Sequence, residues 1–139
     1  MLARQKVIDL IPTEADPAWM LSFLQDKKFT INHVRALKAL SHINIRELSQ
    51  ILNINPKTFT TYTKDISKIK IDTKEHIILL ISLLKKGAEV FGDTQDFNEW
   101  LESPNVFFDH KEPISFLNTI SGIRFVDSRL TAMEYGDNV

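Results

Sequence analysis

Imidazoles, thiols, hydroxyls and paired carboxylates are the groups that could carry chemistry, and this sequence arranges none of them for it. Its four histidines (His33, His42, His76, His110) show neither the HxxxH nor the HExxH spacing that puts two ligands on one helical face. There is no cysteine, hence no disulfide, thiolate cage or thiol nucleophile. No G-x-x-x-x-G-K-[ST] or G-x-G-x-x-G loop offers backbone amides to a nucleotide, and no G-x-S-x-G elbow exposes a serine. Asp93 and Asp96 lie at a predicted helix start, where capping accounts for them. We therefore expect a binding protein, not an enzyme, with no metal and no cofactor. A small-ligand site would need convergent polar groups, and the sequence singles out no such set.

Charge is where the binding chemistry lies. The 139 residues hold seventeen Lys and Arg against eighteen Asp and Glu, a net charge of −1 that looks unfavourable for nucleic acid. Along the chain the sum separates. Lys27 to Lys74 carries ten bases and three acids, or +7, whereas Gly87 to Val139 carries three bases and ten acids, or −7. Such asymmetry predicts two partners of opposite character.

Within the basic half, residues 46–62 (RELSQILNINPKTFTTY) read as a helix-turn-helix. Ser49 is small enough for two backbones to approach, and Asn53 tolerates the positive φ of the turn. Ile54 plugs the turn, and Asn55 caps a second helix with Pro56 in its first turn. Leu48, Ile51, Phe59 and Tyr62 are expected to face inward. That leaves Lys57, Thr58, Thr60, Thr61 and Lys64 on the outer side as candidate DNA contacts. With no arginine on this helix, bidentate guanine reading is unavailable from it, so backbone-dominated, salt-dependent binding is expected. Helix-turn-helix proteins usually read two half-sites, which predicts a homodimer.

The elements that must position these residues are all helices. Gly and Pro are sparse and no stretch alternates with period two. Helices are predicted after Asp16-Pro17, from about Thr30 or Asn32, from Asn44 with Glu47, and from Asn55-Pro56. The longest opens at Asp72 with Glu75 and ends at Gly92. A helix capped by Asp93 or Thr94 follows to about Glu102, then a loop from Ser103 to Glu112. A short helix begins at Pro113, and a last one runs from about Gly122 to Tyr135 with Gly136 at a left-handed cap. The longest apolar run, Ile77 to Leu84, is broken by Ser82 and followed by Lys85 and Lys86, too short to span a bilayer. No signal-peptide pattern opens the chain, so a soluble cytoplasmic protein is expected.

From Gly87 onward a further pattern emerges. The run Ala88-Glu89-Val90-Phe91-Gly92-Asp93 precedes Trp100-Leu101, Pro104-Asn105, Pro113, Leu117, Thr119, Gly122, Val126, Leu130 and Gly136. This ordered series resembles the C-terminal toxin-binding domain of the Xre/MbcA/ParS antitoxins, a family that joins a helix-turn-helix to this domain through a long helix. The resemblance covers about Phe29 to the C-terminus. It divides the chain into an N-terminal extension (1–28), a helix-turn-helix domain (29–86) and a toxin-binding domain (87–139).

The resemblance implies a type II antitoxin, usually paired with a RES-domain toxin that depletes NAD. The C-terminal domain would cover the toxin's active-site entrance, and the helix-turn-helix would repress the shared promoter, within a higher-order toxin–antitoxin complex. Pro104, Asn105, Phe107 and Phe108 of the loop, with Arg129 and Tyr135 of the last helix, are the expected toxin contacts. Trp100, Leu101, Val126, Leu130 and Met133 are expected to pack inward instead. Two departures from the family pattern stand out: Asp109-His110 replaces a common glycine pair, and Ala132 replaces a common arginine. The rival reading is a stand-alone helix-turn-helix regulator whose C-terminal domain only dimerises.

Overall fold

Residues capable of capping stand ahead of most of the helices. In the computed structural model, which describes residues 3–136, Asp16 caps α2 (Pro17–Gln25) and Thr30 caps α3 (Ile31–Ser41), behind a first helix α1 (Ala3–Leu10). Asn44 caps α4 (Ile45–Ile51) and Asn55 caps α5 (Pro56–Tyr62). The long helix α6 (Ile71–Phe91) begins with Lys70 as its cap, just ahead of the expected Asp72, and ends at Gly92 with φ 92°. Asp93 caps α7 (Thr94–Leu101) and Thr119 caps α8 (Ile120–Glu134). Two 3₁₀ turns, Val106–Phe108 and Pro113–Phe116, lie between them. The fold is all-α, as expected, with no strand among the described residues.

The core is one continuous cluster centred on α6. An ordinary surface helix buries a single stripe, but α6 buries Ile77, Ile78, Leu80, Ile81, Leu83 and Leu84, which surround it, so neighbours must cover every side. α3, α7 and α8 do so, with a smaller contribution from α2. Three polar residues of α6 bind the N-terminal segment. Ser82 Oγ donates to the Pro12 carbonyl at 2.7 Å, Lys85 Nζ donates to the Ile8 carbonyl at 2.7 Å and to that of Ile11, and Lys86 bonds Glu14. Residues 3–28 are thus packed onto the central helix and extend the core, with α1 lying against α3.

Two buried histidines complete this core as neutral rings. His33 Nδ1 accepts from the Thr30 amide at 2.9 Å, and His76 Nε2 donates to the Leu117 carbonyl at 2.8 Å. Burial depresses both pKa values below the ordinary 6.5, and at His76 it outweighs the hydrogen bond to the Leu117 carbonyl, which favours the charged form. A depressed value means that their contribution is complete above pH 6.5 and is lost as pH falls below it through the folded-state values. Thermal unfolding should therefore drop by a few degrees between about pH 7 and pH 5, and a His33→Gln/His76→Gln double variant should flatten that drop.

Candidate functional site

The turn between α4 and α5 is built by the residues whose chemistry it needs. Ser49 is fully buried, its Oγ donates to the Ile45 carbonyl, and its own carbonyl accepts the Ile54 amide at 3.0 Å. Asn53 adopts φ 59°. Asn55 Oδ1 accepts from the Lys57 and Thr58 amides at 2.8 and 3.2 Å, closing the start of α5, and fully buried Phe59 anchors the helix. Lys57, Thr60, Thr61 and Lys64 consequently face solvent, with Thr58 half-buried. The hydroxyls of Thr60 and Thr61 donate to the Pro56 and Lys57 carbonyls one turn back along the helix. No local pattern singles out Arg35 of α3, which reaches the end of α5, where its Nε donates to the Thr63 carbonyl at 2.9 Å. This face offers cations and small contact groups, the chemistry of a phosphate-binding surface.

A second surface lies on the acidic half. α7 lays Phe97 against Gly87, and the rings of Phe91, Phe97, Trp100, Phe108, Phe116 and Phe125 form a chain of contacts with centroids 4.9–6.0 Å apart. Phe108 sits at its centre, 1% exposed, between Trp100, Phe116 and Phe125. The expectation that Phe108 contacts a partner is corrected by this burial: it folds the loop, and its neighbour Phe107, 40% exposed, presents the ring.

The loop itself is closed locally. Asn105 Oδ1 accepts the Phe107 amide at 2.9 Å, and the Asn105 amide donates to the Lys111 carbonyl at 3.1 Å. Asp109 and His110 take φ 58° and 61°, so the backbone form suited to glycine is kept without glycine. Asp and His are among the side chains that tolerate this region. Pro104 is exposed at the loop's start.

Arg129 of α8 lays its guanidinium 3.7 Å from the Phe107 ring centroid, joining loop and helix into one surface. Exposed Val106, next to Phe107, and Phe125, one turn before Arg129 on α8, extend it, while Tyr135 is exposed at the end of that helix; Val106 had no distinguishing sequence signal. Trp100 and Met133 are half-buried, while Leu101, Val126 and Leu130 are fully buried, all turned toward the core. Asp137, counted in the acidic half, lies outside the described residues.

The two surfaces are joined through backbone. Asn53 Nδ2 of the turn donates to the Asn118 carbonyl at 2.9 Å, beside the Leu117 carbonyl held by His76. Asn98 Nδ2 of α7 donates to the Ser41 carbonyl of α3 at 2.9 Å. Glu47 of α4 meets like charge there, its pKa raised by burial and then by Glu102 and Glu112.

No helix among the described residues is long and apolar enough to cross a membrane. No curated protein matches the chain. Residues 86–136, which contain the aromatic chain, the 103–112 loop and α8, match the family of the antitoxin Xre/MbcA/ParS C-terminal toxin-binding domain. Over those residues the chain is similar to the toxin-binding domain of the Xre/MbcA/ParS-type antitoxins, which supports an antitoxin of that type.

Proposed function

We propose that the protein is the antitoxin of a type II pair, that its toxin is a RES-type NAD-depleting enzyme, and that it represses its own operon as a homodimer. The observation that carries this reading is the Phe107–Arg129 surface on the matched domain, with apolar side chains exposed around it. An apolar patch rimmed by charge is the usual form of a protein-binding site. Val106, Phe107 and Phe125 would seat on the rim of the toxin's active site, with Pro104, Asn105 and Tyr135 at the edge. Capture is steric, because the site supplies no reacting group. Lys57, Thr58, Thr60, Thr61 and Lys64 would meet DNA, mostly through phosphates.

Co-expression with the product of the adjacent gene tests the antitoxin reading. A toxic product that this chain neutralises and co-elutes with supports it, and a harmless or non-binding product sinks it. Phe107→Asp should weaken that complex by about thirtyfold or more, the usual effect of removing a central aromatic anchor. DNA binding should fail separately. Lys57→Gln/Lys64→Gln should lower operator affinity and reduce the salt slope by about two, one per lost phosphate contact, while toxin capture persists.

A further inference from the structure

A cavity of about 540 Å³ opens between α1, α2 and α3, sharing no residue with either surface described above. Its body is apolar, formed by Val7, Ile11, Trp19 and Phe23, and Leu10 stands at it 70% exposed. Its walls are firm: Trp19 stacks on Phe23 at 5.0 Å, and Phe23 packs edge-on against His33 at 5.3 Å. The charged residues lining it are Lys27 and Lys28; the neighbouring Asp26 carboxylate is turned to Ser22 Oγ at 3.5 Å and is outnumbered by the two lysines. Both are exposed on the turn that ends α2, where the Lys28 amide donates to the Phe23 carbonyl and Lys27 is held at φ 53°.

One cationic end and one apolar body fit an amphiphile with an anionic head. An extended peptide fits poorly, because it needs backbone donors and acceptors along its length, and helical walls have spent theirs. We propose that this groove binds a free medium-chain fatty acid, its carboxylate at Lys27 and Lys28 and its tail along Trp19, Phe23 and Ile11. Decanoate, with about twelve heavy atoms, is well within the capacity of a cavity of this size. The site belongs to the N-terminal segment, outside the matched domain, and stands independently of the antitoxin reading.

Calorimetric titration of the full chain with decanoate, decanol and decyltrimethylammonium tests it. Decanoate should bind about tenfold more tightly than decanol, two lysines contributing the difference, and the cationic detergent should bind least. Affinity should rise about threefold per added methylene from octanoate to dodecanoate. Lys27→Glu/Lys28→Glu, changes confined to an exposed turn, should erase the preference for the carboxylate, and Ser22→Phe should fill the groove and abolish binding. The proposal is overturned if decanoate fails to bind below its micelle concentration, if decanol binds as tightly, or if Ser22→Phe binds unchanged. It is equally overturned if the chain sediments with anionic phospholipid vesicles yet ignores free decanoate, which would make the face a lipid-surface contact.

Discussion

Gly122→Ala should destabilise the protein by about 3 kcal/mol or more and lower its melting temperature by about 10 °C. A Cβ at this position would lie 1.7 Å from the Phe116 carbonyl oxygen and 2.7 Å from its carbon. Both are backbone atoms, so no side-chain rotation relieves the overlap. The Gly122 amide is also fixed from below, donating to Thr119 Oγ1 at 2.9 Å. The junction between the second 3₁₀ turn and α8 must therefore open. That junction carries the Leu117 and Asn118 carbonyls that His76 and Asn53 hold, so the disturbance reaches the turn between α4 and α5.

The variant should lose toxin capture and weaken DNA binding together, unlike the surface variants at Phe107 or Lys57. Gly92→Ala is the control. A Cβ there meets nothing within 4 Å, and only the strain of φ 92° remains, a cost of about 1–2 kcal/mol. Urea unfolding of the two variants beside the parent decides the matter. Equal losses would mean that backbone strain, not the close approach, governs Gly122.

The parts of this molecule that could be read in the sequence are those fixed by neighbours in the chain. Asn53, Asn55 and Pro56 define the turn and the start of α5 through contacts within a few residues, so residue type and spacing suffice. The same holds for Asp16 and Asp93 as caps. What could not be read depends on distant partners. Phe107 and Phe108 are identical in type and adjacent, and only the packing of Trp100, Phe116 and Phe125 decides that one is core and the other surface. Asp109 and His110 depart from the glycine pair common in the family, yet each can occupy the left-handed region, so the backbone survives a change of letters. α1 has one buried residue, Ile8, and its place against α3 rests on tertiary packing rather than on a periodic stripe. The opposed charges of the two halves were legible. Their shared core was not, because nothing local records that Asn53 binds the backbone 65 residues away.

Lys86 is the furthest from local legibility, since its sequence context reads as the polar end of an apolar run. It is 2% exposed, and its Nζ bonds Glu14, Asp127 at 2.9 Å and Thr131, with Glu134 at 3.8 Å. One cation on α6 thus holds the segment before α2 and the inner side of α8. Lys86→Met, which keeps the volume and removes the charge, should destabilise the protein by about 2–3 kcal/mol. The figure is below that for a wholly buried pair because Glu14, Asp127 and Glu134 keep 65%, 33% and 45% exposure and can be hydrated once abandoned.

The pH dependence identifies the cause. Burial acts to lower the lysine's pKa, but the hydrogen bonds of Glu14 and Asp127 raise it above the ordinary 10.5. The ion pairs' contribution is therefore complete below pH 10.5 and lost as pH rises through the folded-state value. Denaturant midpoints measured across the alkaline range should fall steeply for the parent, whereas Lys86→Met should show a smaller fall. If both fall in parallel, Lys86 stabilises through its packed stem alone, and the cluster is not what fastens the N-terminal segment and α8 to the central helix.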